Sequence, residues 1–291
     1  GISGQPQNVV VTANNTGFTG KWVVTGGNLS INGDGALGAV PGSAVSDAIT
    51  LNGGSLTNMS RPSGGGFGAG HGFTLNENRG ITLGANGGNI RIGYTQTLTI
   101  EGAITGTGRL SLSDNGILVL NNANNTYQGG TRLTGTTSLQ ITDDACLGAL
   151  PGVFTANSIA LSGEVTLSNH SSADVVINAN RGITIGSGSR LSSQGAGRSL
   201  TVDSIISGSG GLTIASGSGA VVLTAANTYS GGTTIASGAR LSLGNGGAAG
   251  SVTGNIANEG ILTMNRSDEW SFGGVISGSG SLVKTGSGVL Q

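Results

Sequence analysis

Ile, Leu and Val fall at alternate positions along most of the chain, in short runs separated by Gly, Asn, Ser or Thr. AITLNGG from Ala48, TLTIEGAI from Thr97, SLTVDSII from Ser199 and NIANEGILTM from Asn255 are examples. Alternation with period two sends the aliphatic residues to one face of an extended segment, and the Thr and Val between them favour that backbone. No window sustains an i, i+3, i+4 apolar pattern, and the density of Gly, Ser, Thr and Asn works against helix. The pattern predicts many short strands and almost no helix.

A longer period lies over the short one. Residues 14–42, NNTGFTGKWVVTGGNLSINGDGALGAVPG, align without a gap on 124–152, NNTYQGGTRLTGTTSLQITDDACLGALPG, and a shorter form, NTYSGGTTIASGARLSLGNGG, begins at Asn227. NRGITLG at 78–84 returns as NRGITIG at 180–186, and TLTIEGAITGTGRLSL at 97–112 as SLTVDSIISGSGGLTI at 199–214. The repeats run over 14–123, 124–226 and, shortened, 227–291 of a single solenoid segment. An antiparallel sandwich has no reason to duplicate sequence at fixed spacing. In a parallel β-helix, by contrast, like stacks on like, so an all-β parallel coil is predicted. With roughly 20–25 residues per coil the chain makes about a dozen coils, each rising about 4.8 Å, a rod near ~60 Å. Glycines are then expected at corners, where φ > 0 or close approach of coils is needed.

One departure from the repeat predicts a surface feature. Between Asn58 and Phe73 the first repeat carries MSRPSGGGFGAGHG, where the second has only HSSAD between Asn169 and Val175. A loop over 59–72 is expected to protrude, with Arg61, Phe67 and His71 as candidate contacts; a functionless excursion is the alternative. The start, QNVVVTANNTGFTG, matches GAVVLTAANTYSGG at 219–232, and the chain stops at GSGVLQ, in the same phase. Neither end reads as a polar cap. A piece of a longer solenoid is one expectation, and end-to-end stacking through Val9, Val10, Val11, Val289 and Leu290 is the other.

Composition narrows the partners. With 58 glycines and ten aromatics an aromatic-rich core is not available, yet 36% apolar residues at near-neutral charge do not describe a disordered chain. Twelve basic against 13 acidic residues, with no basic run, remove the footprint of a nucleic-acid binder. No stretch approaches the roughly 20 apolar residues that cross a bilayer, so no direct membrane insertion by this segment is expected, and no signal peptide is read at the start. Cys146 is the single cysteine, and its counterpart in the repeat is Ala36, which predicts a buried, inert thiol.

Recurrence separates scaffold from candidate chemistry. Glu101 recurs as Asp203, Arg79 as Arg181 and Asp34 as Asp144, and all are read as stacking or corner residues. The polar residues that do not recur include His71, His170, Asp143, Arg266, Asp268 and Glu269, along with Trp22 and Trp270. A polysaccharide lyase or glycosidase needs carboxylates clustered on one face, whereas Asp143 with Asp144 and Asp268 with Glu269 are adjacent and would point to opposite sides of a strand. No G-x-S-x-G elbow occurs. INGDGALGA is similar to a calcium-binding nonapeptide but occurs once, not in tandem. No catalytic, cofactor or metal residue is therefore assigned. RSDEW at 266–270 offers Arg266, Asp268 and Trp270 as a contact surface, or a solvated turn whose Trp closes the coil.

The wording NTYSGGTTIASGARLSLG, followed by GGVISGSGSLVKTGSGVLQ, resembles the autotransporter-associated β-strand repeat of bacterial autotransporter passengers. The match covers 97–141, 199–244 and 274–291. The resemblance implies a right-handed parallel β-helix exported across the outer membrane of a Gram-negative bacterium, extracellular and either displayed on the cell surface or secreted. It further implies a noncatalytic adhesin, stalk or self-associating surface protein. Its partner would be a ligand on a host or neighbouring cell, or its own copies end to end. A filament subunit and a carbohydrate-active β-helix enzyme are the alternatives.

Overall fold

The structure, a computed structural model, describes residues 7–58 and 72–291. The chain divides into two units, Gly1–Leu139 with Ala145–Ala149, and Gln140–Asp144 with Leu150–Gln291. Each is a parallel β-solenoid, and the strands of the two together make about a dozen coils. In the second unit Leu200, Val221, Leu241 and Leu262 stack in one buried column, and Val202, Leu223, Leu243 and Met264 form the next. The first unit stacks Ile49, Ile81 and Ile104 inward while Thr50, Thr82 and Thr105 face out, Thr82 Oγ1 lying 3.1 Å from Thr105 Oγ1. The alternation in sequence is thus an alternation between core and surface, with each aliphatic residue burying its neighbours in the coils above and below. Partners step by 20 residues from Val221 to Leu241. The step from Ser55 to Asn89 is 34 residues and spans the insert.

Two short 3-10 turns, Asp34–Leu37 and Asp144–Leu147, are the helical turns among the described residues. No helix there is long and apolar enough to cross a membrane.

The recurring I-x-G-x-G corner has a steric cause. Gly208 adopts φ +120°, and a Cβ on it would lie 2.2 Å from the carbonyl oxygen of Ile185 in the preceding coil. A Cβ on Gly210 would lie 1.9 Å from that of Gly186. Gly106 with Gly108 and Gly278 with Gly280 repeat both clashes. Only a residue without Cβ lets one coil's backbone pass this close to another's.

Asn-Thr-Tyr corners tie coils together through buried amides. Asn125 Oδ1 accepts from the Ile104 amide at 2.7 Å while its Nδ2 donates to the Cys146 carbonyl at 2.8 Å. Asn227 repeats this with Ile206 and Ser251, both at 2.9 Å, and Asn15 donates to the Ala36 carbonyl at 2.9 Å. Such bridges satisfy backbone groups that a turn leaves unpaired. Cys146 itself is buried, as its alignment with Ala36 anticipates.

Tyr127 and Tyr229 sit buried beside these corners, 2.7 and 2.6 Å from the hydroxyls of Thr131 and Thr233. Burial pushes the Tyr229 phenol up to about 12, against the lowering influence of its Thr233 bond. A tyrosine in the unfolded chain titrates near ~10. Because the folded value is the raised one, the stability linked to Tyr229 is whole below about pH 10 and is lost as pH climbs to about 12. Alkaline unfolding followed by phenolate absorbance is expected to show this fall, and Tyr229→Phe to flatten it; an unchanged curve in the variant would refute the assignment.

Candidate functional site

The recurrent charges find one another. Arg79 Nε donates to Asp34 Oδ1 at 2.8 Å, and Arg79 Nη2 to the Gly38 carbonyl at 2.6 Å. In the second unit Arg181 Nε reaches both Asp144 oxygens, at 2.9 and 3.0 Å. The arginine side chains are 4% and 2% exposed. Each aspartate opens a 3-10 turn and also accepts a backbone amide, from Asn76 and Asn178 respectively. Asn78 and Asn180 complete the set by donating to the Pro41 and Pro151 carbonyls. These are staples across the coil, each charge pair reinforced by backbone groups. Asp34, the acid of INGDGALGA, is thereby held by Arg79 and an amide.

Arg266, Asp268 and Trp270 come together at one corner. Arg266 meets the Asp268 carboxylate through Nε at 2.9 Å and Nη2 at 2.7 Å. It also donates to the Gly250 and Ala248 carbonyls, each at 2.8 Å, and its guanidinium lies 5.1 Å from the Trp270 ring centroid. That bidentate contact holds the Asp268 carboxyl below its usual range. Trp270 packs on Phe272 at 5.7 Å, and Glu269 accepts from Gln291 Nε2. Arg266 is buried, so the surface offered at this corner is Asp268 and the edge of Trp270.

Other candidates lie apart. Val9, Val10 and Val11 belong to the strand Asn8–Val11, which pairs with Asn28–Ile31, and Val9 and Val10 are about half exposed. Val289 is exposed and Leu290 bridges to Trp270. Arg61, Phe67 and His71 lie outside the described residues.

One feature escaped the sequence reading, a polar cleft of about 470 Å³ in the first unit, lined by Glu77, Asn78, Glu101, Asn121, Asn122 and Asn124. Recurrence of an acid at its place reads Glu101 as scaffold, and Glu77 stands in no motif. The available signal was Glu77 itself, whose counterpart in the second repeat is Ala179.

A family model described as the passenger-associated-transport-repeat matches residues 113–137 and 214–243. The first stretch holds the Asn125 and Tyr127 corner, and the second holds the Asn227 and Tyr229 corner with the Val221–Leu241 ladder. The chain carries the repeats of an autotransporter passenger. The passenger is also 36% identical over 197 residues, 66% of its length, to a protein of Brucella suis biovar 1 (strain 1330) named Adhesin BmaC autotransporter. It spans 5% of that relative's length. No solved structure matches it.

Proposed function

We propose that this passenger segment is noncatalytic and works at the bacterial surface or after secretion, as an adhesin that engages a ligand on a host or neighbouring cell. The likeness to a named autotransporter adhesin over two thirds of the chain carries this reading. The committed state of the recurrent charges supports it. The Asp–Arg pairs that repeat serve the coil, and other polar groups lie at corners, where a ligand can reach them.

Displayed as a passenger on a nonadherent Gram-negative strain, the segment is expected to raise adherence to cultured epithelial cells or to a bacterial lawn several-fold. The comparison strain displays an equal number of coils with its corner loops replaced by Gly-Ser. Equal adherence of the two strains at matched surface density would overturn the proposal.

A further inference from the structure

The polar cleft of the first unit is an open groove on the surface of the coil, its lining half-buried at Asn78, Glu101 and Asn122 and exposed elsewhere. The strands Phe73–Leu75, Thr97–Ile100 and Ile117–Leu120 stack in register, so the turns that follow them lie one above another and together form its wall. The Asn78 side chain is fixed by its bond to the Pro41 carbonyl at 2.8 Å. Asn122 is fixed from both ends: its Nδ2 donates to the Glu101 carbonyl at 2.6 Å and its Oδ1 accepts from the Asn124 amide at 2.7 Å. Among the described residues the carboxylates of Glu77 and Glu101 have no hydrogen-bond or ion-pair partner. Arg79, the cation nearest in sequence, is spent on Asp34 and Gly38.

The second unit shows what this corner looks like when it only has to fold. Phe154 stands where Ala44 stands, Ala179 replaces Glu77, and Thr224 and Ala225 replace Asn121 and Asn122. The remaining acid, Asp203, accepts a 2.6 Å bond from Thr224 Oγ1. The Asp–Arg staple is the same in both units. Among the described residues the first unit therefore keeps two carboxylates without a side-chain partner, and the two oriented amides of Asn78 and Asn122, where the second unit has alanine, threonine and phenylalanine at neighbouring places.

We propose that this cleft binds a short oligosaccharide that is neutral or bears an amine. An open polar groove of about 470 Å³ has room for a few sugar rings laid along it and suits a hydroxyl-rich ligand better than an apolar one. Carboxylates accept from sugar hydroxyls or an ammonium group, and amides both donate and accept, which suits a ring bearing many hydroxyls. Two uncompensated negative charges disfavour sialic or uronic acids. A cation site is the weaker match, because no group of three or more His, Cys, Asp or Glu comes together among the described residues. This inference rests on the adhesive reading for its biological setting, not for its chemistry.

The test is an array of neutral, amine-bearing and acidic oligosaccharides probed with the purified chain, followed by calorimetry on the strongest neutral or amine-bearing binder. Signals are expected on those two classes and not on the acidic ones. Ala44→Phe, which gives the first unit the second unit's residue, and Glu101→Gln should each lower affinity at least tenfold. Phe154→Ala should leave it unchanged, and all variants should keep the wild-type circular dichroism. Binding to acidic sugars alone, a requirement for calcium, no binding, or affinity unchanged in both Ala44→Phe and Glu101→Gln would each overturn the proposal. Displaying Ala44→Phe on cells separates the two claims. Adherence that persists while sugar binding is lost places the adhesive contact elsewhere and leaves the cleft standing.

Discussion

Replacing Arg181 with alanine should destabilise the coils around it by about 3–5 kcal/mol, the cost of removing one partner from a buried ion pair. Its guanidinium is 2% exposed and sits on the Asp144 carboxylate, itself 18% exposed, so the variant strands a charge that water reaches poorly. Coils of a solenoid open separately, and hydrogen exchange resolves the loss better than a single unfolding curve. Protection should drop most on Arg181–Ile185 and on its partner strand Thr155–Gly163. Removing both charges, in Asp144→Leu with Arg181→Met, should restore part of the loss, because the apolar pair leaves no charge unpaired although the Asn178 amide loses its acceptor. The exposed Lys21–Asp47 pair is the control, and Lys21→Ala should leave exchange unchanged. A loss under about 1 kcal/mol in Arg181→Ala would mean that the pair is ornamental.

The second large effect is expected at Gly210. A methyl group there would overlap the carbonyl oxygen of Gly186 at 1.9 Å, and backbone, unlike the end of a flexible side chain, cannot swing away. Gly210→Ala should therefore cost about 3 kcal/mol or more, through separation of two coils and loss of ladder bonds beside them. Gly152→Ala has open space around it and should change stability by less than about 0.5 kcal/mol. Parallel urea titrations of the two variants decide the matter. Similar midpoints would show that the I-x-G-x-G corner reflects composition and not packing.

Much of this architecture can be read from the chain, since period two and a stacked repeat together determine which face of each strand turns inward. The alignment of repeats sets Leu98 on Leu200, and the alternation turns both inward, where they are buried. The staples were only half visible. Recurrence singled out Asp34, Arg79, Asp144 and Arg181 but could not say that they pair, because no local rule joins residues separated by 45 positions in one unit and 37 in the other. Arg266 shows the opposite limit. A charge beside a tryptophan reads as a recognition patch, whereas carbonyls from the loop 248–250 draw it inward. The cleft was hidden because recurrence of residue type was taken for recurrence of role. The Asp203 carboxylate accepts from Thr224 whereas the Glu101 carboxylate has no partner among the described residues, although both are acids at one place in the repeat.

A ladder of near-identical rungs carries an ambiguity that its staples remove. Strand Ser199–Val202 pairs with Ala220–Leu223, but Arg240–Leu243 or Ile261–Asn265 would offer it much the same aliphatic column. A growing solenoid could therefore misthread by a whole coil and forfeit little hydrophobic contact. Within 34–79 and 144–181 the Asp–Arg staples forbid such a slip, because each joins a particular turn to a particular strand more than one coil away along the chain, like index marks on a ruler. Loss of a coil outside their span would shorten the ladder and leave it sound. Loss of one between Asp144 and Arg181 would set the marks against the rungs, leaving two buried charges with no counterpart.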